Sequence, residues 1–241
     1  MIVAHLSGRP VAHGGMKQAD LFAVGSIIQL ARRVYKEGGA RRPTIWGSGM
    51  LAPVPRDFLP HVDVAAVRGP VSAALLGLET DAMGDPGLLI PEVIAAPARA
   101  DRIGIVPHHS LMDDPALTQL LRDPAYVLID PRGDAVQVVQ AIASCAHIFA
   151  SSLHGLIVAD AYGVPNTWVA PTGQGWLKYH DYAASVGRAM IAPILLQDIP
   201  GRAGKPDQPV NAYQDGIDRA RAALKQTFPA QFRADAQVMA G

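Results

Sequence analysis

The sequence is poor in cysteine, in aromatic residues and in charge, and each shortage closes off a class of protein. A single cysteine, Cys145, excludes a disulfide framework and a cysteine-built metal centre. It falls in an apolar run whose spacing reads as helical. Lys and Arg number 21, as do Asp and Glu, so the formal net charge is zero. That balance removes the electrostatic argument for nucleic acid or an anionic membrane as the main partner. Charged residues make up 17% and hydrophobic residues 49%, which marks a globular chain and not a disordered one. No stretch approaches the roughly 20 apolar residues that span a bilayer. Met1 to Leu6 is too short an apolar run for a signal peptide and has no basic flank. The expectation is a soluble, cytoplasmic protein of one large domain or two small ones.

What is there centres on Ile148-Phe149-Ala150-Ser151-Ser152-Leu153-His154-Gly155-Leu156-Ile157-Val158-Ala159-Asp160. It opens apolar and β-prone, breaks at two serines and resumes as an apolar helical run. Gly163 and Pro165 then stop that run. The unit predicts strand, short loop and helix, with Ser151, Ser152 and His154 at the turn. Open α/β sheets bind ligands outside the carboxyl ends of their strands. Free N–H groups at a helix start favour an anion there. The residues leave a plainer reading open, in which Ser151 or Ser152 is an ordinary N-cap and His154 a first-turn histidine.

Taken in order, Ile2 to Leu6 predicts a short strand and Asp20 to Lys36 a helix, from apolar steps of three and four. Arg41 to Trp46 predicts a short strand running into Gly47-Ser48-Gly49, where glycines let a backbone approach a ligand. A tight turn is the alternative. Val62 to Val67 predicts a strand, with Arg68 at its end and Pro70 opening a short helix. The Ala- and Pro-rich run 91–101 reads as a linker between halves spanning 1–95 and 101–205. The second half alternates cleanly: strand to Val106, helix from Pro115, strand from Tyr126, helix capped by Asp134, the central motif, then a strand from Asn166. Such alternation predicts a parallel, doubly wound sheet. Gly173 to Tyr182, which includes Lys178, predicts a loop over the site with a helix after it. The tail 206–241 predicts a helix that crosses back onto the first half.

Gly47-Ser48-Gly49, Arg68, His108, Ser151-Ser152-His154 and the loop before Lys178 all follow strands. In a parallel sheet such positions share one edge, and two half-sheets would present these edges to a cleft. His108-His109 does not make a metal site, because adjacent side chains diverge and no spacing supplies further ligands. No metal is expected, although a divalent ion arriving with a phosphate substrate is left open.

The run Ser151-Ser152-Leu153-His154-Gly155-Leu156-Ile157-Val158-Ala159-Asp160-Ala161-Tyr162-Gly163-Val164-Pro165 resembles the signature of polysaccharide pyruvyl transferases, especially the exopolysaccharide ketal-pyruvate transferase branch. Ala23 to Ile28, Ile45 to Gly49, Val67 to Pro70, Gly84 to Leu89, Val106 to His109 and Lys178 to Tyr182 fit the same pattern in order. The resemblance covers roughly residues 20 to 200. It implies two Rossmann-like doubly wound parallel-sheet halves, similar to the GT-B glycosyltransferases. Met1 to Met16 lacks the Asn-x-Gly-Asp element with which such proteins open, so the N-terminal half is expected to be shortened or diverged. Many relatives carry Arg where this chain has Ser152, and Arg68 is the candidate to replace it.

The resemblance further implies phosphoenolpyruvate as donor substrate, no cofactor, and a saccharide or lipid-linked saccharide as acceptor. Peripheral membrane association would follow from a lipid-linked acceptor. In this reading His154 is the general acid–base and His108 the second base. Ser151, Ser152 and Gly155 would hold the anion, Arg68 and Lys178 would pair with carboxylate or phosphate, and Gly47, Ser48 and Gly49 would admit substrate. Two alternatives stand beside it: a GT-B-type glycosyltransferase using a nucleotide sugar, and a non-catalytic sugar- or anion-binding remnant. The sequence sets no oligomeric state.

Overall fold

The computed structural model describes residues 1–190, 192–202, 205–206 and 208–234. The chain divides into two compact units. The first comprises Met1–Leu89, Gly175–Gly187 and the chain from Asp218 onward, and the second comprises Ile90–Gln174 and Arg188–Ile217. Each is built on a parallel sheet with helices, as the alternation of strand and helix predicts.

The first unit holds β1 (Leu21–Ala23), β2 (Thr44–Ser48) and β3 (Asp63–Val67) in the order β1-β2-β3, all parallel. Successive side chains of β2 point to opposite faces, and the packing follows. Ile45 joins Phe22, Ile28, Ala31, Met50, Phe58 and Val67 on one face. Trp46 joins Leu89, Leu224 and Phe228 on the other. Helices α2 (Ile28–Tyr35) and α3 (Pro70–Leu76) follow β1 and β3, and α3 starts on Pro70 as expected. α8 (Gln214–Thr227) begins in the second unit and enters the first at Asp218. There Trp46 Nε1 donates to the Leu224 carbonyl at 3.0 Å, and the Trp46 and Phe228 rings meet edge-on.

Two expectations are corrected here. Ile2–Ser7 is a helix, α1, and not a strand. Ile2, Val3 and Leu6 pack on the Trp46 side of the sheet, and Gly8 ends the helix with φ 66°. Asp20 to Lys36 is not one helix. Its first part is β1, because Phe22 pairs with Ile45 and is buried. Val24 and Gly25, both at positive φ, turn the chain into α2.

The second unit holds β4 (Ala100–Val106), α4 (Pro115–Leu120), β5 (Tyr126–Leu128), α5 (Ala135–Ala143), β6 (Cys145–Ala150), α6 (Leu153–Ala161) and β7 (Asn166–Trp168). Asp114 and Asp134 cap α4 and α5 with their side chains. The parallel strand order is β5-β4-β6-β7. From β4 the chain first moves outward to β5, then crosses back to place β6 on the other side. The strand order therefore reverses between β4 and β6, and this is where a doubly wound sheet opens a crevice at its carboxyl edge. Cys145, expected in a helix, is the first residue of β6 and is buried. Lys178, expected in a loop, lies in the first turn of α7 (Leu177–Val186), in the first unit. Among the described residues no helix is long and apolar enough to cross a membrane.

Candidate active site

The strand–loop–helix motif folds as its sequence predicts: β6 ends at Ala150, Ser152 is the N-cap position, and α6 begins at Leu153. Its turn is tied to the neighbouring strand at the reversal point. The Val106 carbonyl, at the end of β4, accepts the N–H groups of Ser151 and Ser152 at 3.1 and 3.2 Å. In return Ser151 Oγ accepts the His108 N–H at 2.8 Å. His108, Ser151, Ser152 and His154 are thus gathered at the carboxyl ends of two adjacent strands.

Their exposures differ and so do the roles open to them. Ser151 is buried and holds the loop after β4 in place. Ser152 is half-buried, and its hydroxyl makes no capping bond to α6. A helix start without a side-chain cap is the kind of element at which proteins commonly receive an anion. His154 and His108 are both half-buried. The His108 and His109 rings lie 3.9 Å apart, centroid to centroid.

Gly155 is buried for a packing reason. A Cβ there would lie 2.9–3.0 Å from Val106 and Ala150, so only glycine lets α6 seat this close to β4 and β6. Gly155→Ala is expected to destabilise the protein by about 1–2 kcal/mol, the overpacking cost outweighing the helix propensity gained. Urea unfolding checks this, and an unchanged midpoint would refute the packing account. Asp160, further along α6, anchors the helix to the unit. It accepts Arg188 Nη1 at 3.1–3.2 Å, Asn166 Nδ2 at 2.7 Å and the Tyr213 hydroxyl at 2.8 Å, all buried. Burial first, and the Asp160 charge next, push the Tyr213 hydroxyl well above the usual phenol range. His147 on β6 is pulled down to about 4 by burial, so it stays neutral at neutral pH and is no candidate acid.

The expected site residues of the first unit are committed elsewhere. Arg68 is fully buried. Its Nε and Nη2 lie 3.1 Å from Asp181 Oδ2, Nη1 donates to Ser26 Oγ at 2.7 Å, and Nη2 donates to the Met50 carbonyl at 3.1 Å. Asp181 also accepts the Ser72 N–H and hydroxyl at 2.8 and 2.7 Å. The guanidinium is a brace between β3, α3 and α7, and the donor contact expected of it is corrected on that ground. Gly69 is glycine because any Cβ there would collide with the Asp181 carbonyl. Gly47, Ser48 and Gly49 are likewise closed by the protein's own groups. Gly47 (φ 71°) abuts Pro86, Gly49 abuts the Arg68 guanidinium, and Ser48 Oγ donates to the Gly25 carbonyl at 2.8 Å.

Lys178 is buried, and desolvation, helped by the Arg68 charge, pulls its ammonium down to about 8. Its folded value lies below its unfolded one, so the unfolded chain binds more protons between about pH 8 and 10. Stability therefore rises with pH through that window. The expected gain is roughly 2 kcal/mol by pH 10 at about 1.4 kcal/mol per unit. Lys178→Met should flatten the profile in chemical denaturation, and an unaltered rise would contradict the assignment.

A family model described as polysaccharide pyruvyl transferase matches residues 5–173. The chain belongs to that family. Over 129 residues it is 30% identical to the succinoglycan biosynthesis protein ExoV of Rhizobium meliloti (strain 1021), covering 52% of this chain and 41% of that protein. Over 116 residues it is 33% identical to the uncharacterized protein L143 of Acanthamoeba polyphaga mimivirus, covering 44% of this chain and 40% of that protein. The matched stretches thus span about two-fifths of the length of these curated relatives. No solved structure matches the chain. The family match takes in β4, β6 and α6, the elements that carry the gathered serines and histidines.

Proposed function

We propose that this chain transfers pyruvate from phosphoenolpyruvate to two hydroxyls of a saccharide, forming a ketal in exopolysaccharide synthesis. One observation carries the reading: in a member of this family, the segments that bear His108 and His154 and a helix start with no side-chain capping bond lie at the strand-reversal edge of one sheet. The donor is an anion, and the start of α6 with Ser152 is the anion-binding element at that edge. The similarity to ExoV favours a polysaccharide-building context, and the exopolysaccharide ketal branch and the GT-B-like arrangement are part of the same proposal.

The chemistry needs one acid and one base. Protonating the methylene carbon of phosphoenolpyruvate makes its C2 electrophilic, and His154 as an imidazolium supplies that proton. A first sugar hydroxyl adds to C2 and gives up its proton to His108. The C2–O bond to phosphate then breaks and phosphate leaves with the bonding pair. The second hydroxyl adds to the resulting oxocarbenium carbon and loses its proton, which closes the ketal. Protons balance: two leave the acceptor hydroxyls, one making good the proton that His154 gave to the methyl group and the other leaving on the released phosphate as hydrogen phosphate. Each positioned proton transfer contributes typically about 10²–10⁴ in rate.

The test is release of inorganic phosphate from phosphoenolpyruvate that requires a saccharide acceptor, with the ketal methyl group seen by NMR in the product. Sugar transfer from a nucleotide sugar, without use of phosphoenolpyruvate, would replace this reading with the glycosyltransferase one.

A further inference from the structure

β1 is an edge strand of the first unit's sheet, and its outward backbone groups have no strand to meet. The Asp20 carbonyl accepts the Thr44 N–H at 2.9 Å, and Leu21 and Phe22 pair in register with Thr44 and Ile45. Alternate residues of a parallel strand turn both backbone groups to the same side. Phe22 therefore faces β2, and Leu21 and Ala23 face away from it. Among the described residues, no group bonds the N–H or C=O of Leu21 or Ala23. Both residues are half-buried.

This free edge opens on a cavity of about 970 Å³, lined by all three residues of β1 and by most of the chain from Arg9 to Asp20. β2 takes the other edge of β1, and Phe22 and Leu21 pack into the clusters on its two faces. The side left for the cavity is the free edge. Ile27, Leu30 and Phe232 give the wall its apolar character. Met1, Val11 and Met16 also line it and are 52, 53 and 41% exposed. Large apolar side chains exposed together around one cavity mark a binding surface. Arg9 and Asp20 do not select a charged ligand, because Arg9 donates to the carbonyls of Arg233 and Ala234 and Asp20 pairs with Arg41.

The occupant must be apolar and must bring donors and acceptors at strand spacing. A hydrocarbon chain meets only the first demand, since it would leave two N–H and two C=O groups buried and unpaired. A second copy joined edge to edge would set its own Arg9-to-Asp20 wall against the first. An extended peptide meets both demands. At roughly 3.3 Å along a strand, roughly 4.8 Å between strands and roughly 10 Å between layers, a strand residue fills about 160 Å³, so the cavity takes about six. We propose that the free edge of β1 and this cavity form a docking site for an extended, uncharged segment of a partner protein, apolar at alternate positions, which adds to the sheet as a strand. The proposal does not draw on the pyruvyl-transfer reading.

The experiment uses the full chain and a fluorescein-labelled Thr-Val-Thr-Val-Thr-Val amide, with binding read by fluorescence anisotropy and edge pairing by amide hydrogen exchange. The expected result is saturable binding that slows exchange at the Leu21 and Ala23 amides. The fully N-methylated peptide, as apolar but unable to donate, should bind at least about tenfold more weakly, the worth of one or two hydrogen bonds. Ala23→Pro removes one outward N–H and leaves the β2 ladder intact, so it should weaken binding to a similar degree. Val11→Asp combined with Met16→Asp, at exposed positions outside the sheet, should also weaken binding, with an unchanged urea midpoint. No binding, or equal binding of the N-methylated peptide, overturns the proposal. So does palmitate bound in preference to the peptide, which would give the cavity to a lipid chain. A wild-type dimer whose Leu21 and Ala23 amides are protected without peptide would give the edge to a second copy, and overturns it as well.

Discussion

His154→Ala is expected to lower turnover by about 10²–10⁴-fold while leaving the unfolding midpoint unchanged. The residue sits in the first turn of α6, half-buried, after an N-cap serine that makes no side-chain capping bond. Alanine is the best helix former, so the substitution costs the helix nothing by propensity. A loss of rate without loss of stability is the mark of a group acting on the substrate. A first-turn histidine with a purely structural role gives the opposite pattern, a lowered midpoint with turnover retained. Steady-state kinetics and urea unfolding on the same preparation separate the two. His154→Gln should be as inactive as His154→Ala, since a carboxamide donates hydrogen bonds but does not shuttle a proton.

Asp181→Ala should destabilise the first unit by about 3–5 kcal/mol, a large share of the 5–15 kcal/mol that holds a typical domain folded. The variant strands the Arg68 guanidinium in a site with no exposure and takes the acceptor from the Ser72 N–H and hydroxyl. Arg68→Met combined with Asp181→Leu should be far less damaging than Asp181→Ala alone, because removing both charges leaves neither one uncompensated. Urea midpoints of the three variants test this. A double variant as unstable as the single would mean that the hydrogen bonds to Ser26 and Ser72, and not the charge pair, hold these elements together. Had Arg68 been a donor ligand, Arg68→Met would keep its midpoint and lose only phosphoenolpyruvate binding. Its complete burial predicts instead that stability falls first.

The second unit was largely legible in the sequence because its signals are local. Asp114 and Asp134 precede Pro115 and Ala135 and cap the helices that follow them. The run from Ile148 to Asp160 changes character at two serines, and the strand-to-helix turn lies there. Short segments misled. Six residues from Ile2 do not distinguish a strand from one and a half turns of helix, and only the packing of Ile2, Val3 and Leu6 decides it. The three residues of β1 shared the apolar spacing of the helix that follows, and it was pairing with β2 that claimed them.

The polar residues were harder, since their partners lie far along the chain. Arg68 and Asp181 are 113 residues apart, and nothing near Arg68 reveals that a carboxylate awaits it. The same distance hid the reason for Gly69. Ser110 and Gln174 are single polar residues, one just after β4 and the other in the run from Gly173 to Tyr182 that reads as a loop over the site. Both contact the ring of His108, which lies 2 residues from one and 66 from the other. Two glycines flanking a lone glutamine were the one sequence signal available there.

The measurement that tests the central claim most directly is the heat-denaturation midpoint of the wild-type chain with and without phosphoenolpyruvate, beside a nucleotide sugar as comparison. A ligand that binds only the folded state adds about 2.7 kcal/mol at 100 times its dissociation constant. That corresponds to several degrees for a chain of this size. The account predicts a clear upward shift with phosphoenolpyruvate, reduced in Ser152→Ala, and none with the nucleotide sugar. A folded protein whose midpoint ignores phosphoenolpyruvate at millimolar concentration, or that responds to the nucleotide sugar instead, would contradict it.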